Sequence, residues 1–217
     1  MPKALIASLA VNLAALAYAV RKVRRIGPRF VLDRLLRRPA ARPDFGGMAR
    51  SKFVRPSSGA VILLGDSQLE WAPVTDLLDL PVRNRAISGA RTSDLAAWLD
   101  LVLAERPAGI VLMIGSNDAW FGRPVDETEA ALRAVLTRVR DELGCPVTIV
   151  SVPPLVGRPR EVAAVNRVLA TLAGEFGHRL VDVTATLAAL PWTDDGLHLN
   201  GRAYDAIRPL VREAAGI

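Results

Sequence analysis

From residue 60 to the C-terminus, short aliphatic runs of strand length alternate with longer stretches whose apolar residues recur at helical spacing. This alternation restricts the fold more than any other feature of the chain. The apolar runs cover 60–64, 82–87, 109–114, 147–152 and, more weakly, 179–183. Runs so continuous suit parallel strands covered on both faces, because a strand with one wet face alternates apolar and polar residues. Between them, 93–105 and 126–143 carry the helical period, the second opening on an acidic turn from Asp126 to Glu129 that suits the positive end of a helix dipole. Residues 159–174 and 202–215 read as two further helices. Strand and helix in alternation predict an α/β fold, a three-layer α/β/α sandwich around a mostly parallel five-stranded sheet, with no internal repeat.

Upstream the chain changes character. Residues 4–20 form a run of seventeen without a charge, interrupted only by Ser8 and Asn12. As a helix this run would be roughly 26 Å long, at the short end of what spans a bilayer. Ala17-Tyr18-Ala19 has the small-x-small pattern of a signal-peptidase site, but Arg21, Lys22, Arg24 and Arg25 follow at once, and such a cluster resists translocation. We expect an uncleaved membrane anchor that leaves the rest of the chain on the cytoplasmic side. A cleaved signal with export, or an interfacial or packed helix, are the alternatives. Residues 28–38 set Phe30, Val31, Leu32, Leu35 and Leu36 among arginines, which suits an amphipathic helix on an anionic surface and equally a solvated basic linker. Residues 39–58, rich in Pro, Gly, Arg and Ser, read as linker. The expected organisation is an apolar helix over 1–25, a basic juxtamembrane segment and linker over 26–58, and a globular domain over 59–217.

The charge follows the same division. A formal net charge of +6 would point to nucleic acid if it were spread over the folded part. Instead residues 21–55 hold twelve Lys or Arg against two acids, a local net of +10, while 56–217 carry −5. An acidic domain in a chain with only 5% aromatic residues offers neither a phosphate-binding face nor a stacking platform, so no nucleic-acid partner is expected. Cys145 is the single cysteine and there are two histidines, which excludes an internal disulfide and makes a metal site unexpected. Cys145 itself reads as a small buried apolar residue.

In open α/β sheets reactive groups collect in the loops after the carboxyl ends of strands. The first run here ends in Gly65-Asp66-Ser67, the second in Ile87-Ser88-Gly89 and the third in Gly115-Ser116-Asn117-Asp118. Near the C-terminus Asp195 stands three residues before His198. Each block alone is a common polar turn. Together, in this order and at strand ends, they resemble the SGNH or GDSL hydrolase superfamily, whose blocks are Gly-Asp-Ser, an isolated Gly, Gly-x-Asn-Asp and Asp-x-x-His. The second and third blocks look like those of small bacterial lysophospholipase-like and acetylhydrolase-like members. One departure is Gln68, where a hydrophobic residue usually follows the serine. Glu70-Trp71 fits no pattern that we can assign.

The resemblance implies a flavodoxin-like SGNH hydrolase fold, a serine esterase with no metal or organic cofactor, and small-molecule or lipid ester or thioester substrates. It assigns Ser67 as nucleophile, His198 as its base and Asp195 as the acid that orients the imidazole, since serine needs an adjacent base to be nucleophilic. The backbone N–H groups of Ser67 and Gly89 and the side-chain amide of Asn117 would form the oxyanion hole. Asp66 and Asp118 are expected to hold loops, and His178 to be structural. Asp194 competes with Asp195 but lacks the family spacing. Trp120, Phe121 and Trp192 are candidates for the substrate pocket or for ordinary packing. An acyltransferase using the same triad, or a catalytically idle membrane-attached binding module, are the alternative functions.

Overall fold

The computed structural model describes residues 12, 16–18, 20–21, 42–53, 58–73 and 81–216. The chain divides into two units, Met1–Pro43 and Asp44–Ile217. In the first, the few described residues are exposed, those between 12 and 21 helical and 42–43 not. The expected anchor and the basic segment after it fall for the most part outside the described residues, and among those described no helix is long and apolar enough to cross a membrane.

The second unit is built on five strands, all parallel: β1 (Val61–Gly65), β2 (Val82–Asn84), β3 (Gly109–Met113), β4 (Val147–Val150) and β5 (Arg179–Val181), in the order β2-β1-β3-β4-β5. The three central strands are buried along their whole length, which is why their sequences read as unbroken aliphatic runs. The edge strands are partly exposed, and they are the shorter and less apolar ones. β2 ends at Asn84 rather than at residue 87, yet the N–H groups of Arg85 and Ile87 still donate to Leu63 and Gly65 at 2.8 and 3.0 Å. The chain therefore stays against β1 up to the Gly89 loop.

Alternate residues of each strand enter opposite layers. Ile62, Leu64, Ile110 and Leu112 pack on one face, under α1 (Phe45–Lys52), a 3-10 turn at Thr92–Ala97, α3 (Leu99–Ala104), α5 (Val125–Glu142) and α6 (Pro159–Phe176). Val61, Leu63, Val111 and Met113 pack on the other, under α2 (Ser67–Glu70), α7 (Thr184–Ala188) and α8 (Gly201–Ala215). A further short helix, α4 (Ser116–Trp120), follows β3. Burying each large aliphatic side chain contributes about 1.5–3 kcal/mol, so the sheet is held from both faces. The expected α/β/α sandwich is the observed one.

Two differences from the sequence reading have physical causes. The stretch 93–105, expected as one helix, is broken at Trp98, whose φ of −136° ends the 3-10 turn; its indole is buried and donates to the carbonyl of Arg85 at 3.1 Å. The second concerns the boundary placed at residue 59. Residues 45–52, expected as linker, form α1, capped by Asp44, whose Oδ1 accepts from the N–H of Gly47 at 2.9 Å. Phe45, Ala49 and Phe53, at i, i+4 and i+8, are buried in the core. Phe45 lies 6.0 Å from the Trp98 ring, and the Arg85 guanidinium sits 4.7 Å over Phe53 while it pairs with buried Glu105. The apolar period was hidden by Gly46-Gly47 and the neighbouring prolines and arginines, and a helix of eight residues shows little of its period. The compact unit therefore begins at Asp44. Phe45→Ala should destabilise it by about 3–5 kcal/mol, read as a fall in Tm of about 10 °C. A chain starting at Asp44 should melt like the whole unit, and one starting at Gly59 well below it.

Candidate active site

Gly65 closes β1 where β3 runs alongside; a Cβ there would lie 1.9 Å from the carbonyl oxygen of Met113, so only glycine permits the approach. The chain then turns into α2, with Asp66 as N-cap: its Oδ1 accepts from the N–H of Gln68 at 3.0 Å. Ser67 is the first residue of α2, where backbone N–H groups have no intrahelical partner. Its Oγ lies 3.0 Å from Nε2 of His198, and Nδ1 of His198 lies 2.6 Å from Oδ2 of Asp195. These residues, 128 or more positions apart from Ser67 in sequence, thus form one hydrogen-bonded line.

The loop carrying Asp195 and His198 is shaped by contacts of its own and tied to the loop after β4, where the N–H of Val156 donates to the Gly196 carbonyl at 3.0 Å. Thr193 and Leu199 form an antiparallel bridge, and the N–H of Asn200 donates to the Trp192 carbonyl at 2.9 Å. Oδ1 of Asp195 accepts from the N–H groups of Leu197 and His198 at 2.9 and 2.8 Å. Partial burial pushes the Asp195 carboxyl up, but the His198 ring and these two N–H groups outweigh it and hold the carboxyl well below the usual carboxylate range. Asp194 instead meets the side-chain amide of Asn200 at 3.4 Å. Asn200 itself caps α8.

The other two strand-end loops lie against the nucleophile turn. Gly89, at φ +79°, sits in the loop tied to Gly65 through Ile87. Asn117 is in the first turn of α4, and its Nδ2 donates to the carbonyl of Ala90 at 2.8 Å, which links the second and third blocks and leaves the other N–H of the amide for a further acceptor. Asp118 is buried and accepts from the N–H and hydroxyl of Thr92 at 3.0 and 2.9 Å. It holds loops, as does Asp66.

Glu70 and Trp71, unassigned in the sequence, belong to this site. The Glu70 carboxylate accepts from the N–H of Ser88 at 2.6 Å and from its hydroxyl, and pairs with Lys52 at the end of α1. Burial raises the Glu70 carboxyl, but Lys52 and Ser88 prevail and keep it below its ordinary value. Lys52 also donates to the Ala86 carbonyl at 2.9 Å. The loop that carries Gly89 is thereby fastened to α2 and to α1. The Trp71 ring lies 4.1 Å from that of His198, at 35°, and is 55% exposed. The only signal in the sequence was their place, three and four residues after Ser67, one turn along a helix too short to predict.

Other candidates lie elsewhere or pack. His178 precedes β5, at the opposite end of the sheet from the catalytic loops, stacked on Phe176 at 6.0 Å. Trp120 packs on one core face and Trp192 on the other, while Phe121 is exposed beneath the Arg91 guanidinium. Among the described residues no group of three His, Cys, Asp or Glu could hold a metal ion.

Burial pushes the Asp66 carboxyl up to about 7, with the Asp118 charge adding to the rise and the hydrogen bond from the N–H of Gln68 opposing it. A carboxyl raised in the folded state contributes stability that is full below pH 3.8 and is lost as pH rises through about 7. Asp66→Asn cannot ionise, so the Tm difference between the variant and wild type should shift in the variant's favour between pH 5 and 8, by thermal melts in matched buffers.

A family model described as GDSL-like lipase/acylhydrolase matches residues 63–206. Solved structures share the fold at low identity. A GDSL-like lipase from Bacteroides thetaiotaomicron is 17% identical, with a TM-score of 0.69 over 79% of this chain and 97% of that one. A lipase/acylhydrolase from Enterococcus faecalis is 24% identical, with a TM-score of 0.62 over 72% and 96%. An acetylxylan esterase from Geobacillus stearothermophilus is 20% identical, with a TM-score of 0.60 over 75% and 96%. A comparison with curated protein sequences finds no match. With the family model spanning both the Gly65–Ser67 turn and the Asp195–His198 loop, the chain belongs to the GDSL-like lipase/acylhydrolase family of ester hydrolases.

Proposed function

We propose that this ester hydrolase works as a serine esterase, cleaving small acyl or lipid-derived carboxylic esters through an acyl-enzyme on Ser67. The observation that carries this reading is the hydrogen-bonded line from Ser67 through His198 to Asp195. Oγ of Ser67 attacks the ester carbonyl carbon as its proton passes to Nε2 of His198, and the carbonyl electron pair moves onto oxygen. Asp195 fixes the tautomer through Nδ1 and stabilises the imidazolium. The oxyanion is met by the N–H groups of Ser67 and Gly89 and the amide of Asn117. Collapse expels the alcohol, which takes the proton from Nε2, and the acyl group stays on Ser67. Water, deprotonated by the same nitrogen, then repeats the addition on the acyl carbon and releases the carboxylic acid and free serine. Exposed Trp71, against the His198 ring, gives the site an apolar surface suited to an acyl chain.

We further propose that the catalytic unit is tethered to a membrane on its cytoplasmic side. The support is the uncharged run at 4–20 with its basic flank and the exposure of Leu16, Tyr18 and Val20. Wild-type protein should sediment with membranes and resist carbonate, and a chain beginning at Asp44 should not; equal partitioning of the two would reject the tether.

For the chemistry, wild type should hydrolyse p-nitrophenyl acetate and be labelled on Ser67 by a fluorophosphonate, and Ser67→Ala should do neither. Asn117→Ala should lose about a hundredfold in kcat, because one preorganised donor is worth about 3 kcal/mol. Activity of Ser67→Ala equal to wild type would overturn the reading. A series of acyl chain lengths, with acceptor alcohols added, identifies the acyl group and separates hydrolysis from transfer.

A further inference from the structure

Gln68 stands directly after the proposed nucleophile, where the family usually carries an apolar residue, and it is fully buried. Its side-chain amide faces the loop that carries His198. Nε2 donates to the carbonyl of Leu197 at 2.7 Å, and Oε1 accepts from the N–H of Leu199 at 3.2 Å. These are the backbone groups on either side of His198. A primary amide presents a donor and an acceptor on one planar group, the pair that a neighbouring strand would offer.

Gln68 is itself fixed. Its N–H donates to Asp66, and its carbonyl accepts from the hydroxyl of Tyr204, on α8, at 2.7 Å. The contacts inside the Thr193–Asn200 loop are local and set His198 relative to Asp195, whose side chain is 54% exposed. They do not set His198 relative to Ser67, which belongs to a different element. Exposed Trp71 restrains the imidazole face by apolar contact, which has little directionality. Among the described residues, the directional tie between the two elements besides the Ser67–His198 hydrogen bond itself is the Gln68 amide, one residue from Ser67 and one residue from His198 on each side.

We propose that Gln68 is a positioning residue: by clamping the main chain on both sides of His198 to the nucleophile turn, it sets the distance between Nε2 and the Ser67 hydroxyl. This rests on the serine esterase reading and deepens it. Gln68 touches no substrate and acts only through His198, so its loss slows proton transfer and leaves ester binding nearly unchanged.

The test is Gln68→Met, which keeps length and volume but removes both hydrogen bonds, measured beside wild type and Ser67→Ala. Concentrations are set by active-site titration with a fluorophosphonate. With p-nitrophenyl acetate, kcat per titrated site should fall about 10- to 100-fold with KM within threefold, and the second-order rate of Ser67 labelling should fall by a similar factor. A purely structural role would lower Tm and the titratable fraction but leave kcat per site within threefold of wild type, and that result overturns the proposal. If Gln68→Met does not fold, Gln68→Glu decides by the same criterion, since at pH 8 its carboxylate keeps the acceptor for Leu199 and cannot donate to Leu197. Active Gln68→Met beside labelled wild type and inert Ser67→Ala rejects only the Gln68 assignment. Unlabelled wild type with active Ser67→Ala rejects the serine reading and the Gln68 assignment with it.

Discussion

β1 and β3 run side by side from Val61 opposite Gly109 to Gly65 opposite Met113, and the site depends on this pairing. Successive strands of the chain are separated here, because β2 turns to one side of β1 and the chain crosses to the other side for β3. The loops leaving β1 and β3 diverge at such a switch point and open a crevice at their carboxyl ends. Ser67 and Asn117 stand at the mouths of those two loops, and Gly65 makes the approach possible by having no side chain to set against Met113. A Cβ at that point would part the strands just where the Ser67 turn leaves them.

Around the crevice, polar side chains replace the regular ladder that ends at Gly65. Asn117 reaches Ala90, Asp118 reaches Thr92, Glu70 reaches Ser88 and Gln68 reaches both sides of His198. Each satisfies backbone or hydroxyl groups that the loops would otherwise bury unpaired. Loops are the least constrained parts of a fold, and a catalytic hydrogen bond tolerates little displacement. The network gives loop residues the precision of a packed core. The cost is visible at Asp66, where burial beside Asp118 holds a carboxyl near neutral pH in the range where it titrates.

Charge separates along the chain. Between residues 21 and 55 the chain carries a net +10, whereas residues 56–217 carry −5. Lys52 and Arg50, at the end of α1, belong to the basic stretch by sequence and to the compact unit by structure. Lys52 is used there as a partner of Glu70. The basic segment thus reaches into the folded unit and contributes to holding the Gly89 loop.

Much of this was legible in the chain itself. The central strands are buried on both faces, so their aliphatic runs announced them, and long helices such as α5 and α6 span enough turns for their period to show. The blocks around Ser67, Gly89, Asn117, Asp195 and His198 were likewise readable, because strand-end loops leave short dense clusters of polar residues. α1 was missed because eight residues with two glycines show too little period. Glu70, Trp71 and Gln68 could be seen as unusual but not understood, since their partners Ser88, His198, Leu197 and Leu199 lie between 18 and 131 positions away. Sequence by itself determined the order of strands and helices and the polar blocks that close the strands, because both follow from local chemistry. Only the tertiary structure decided which side chains hold those groups in place, because a hydrogen bond between distant loops depends on how the sheet brings them together.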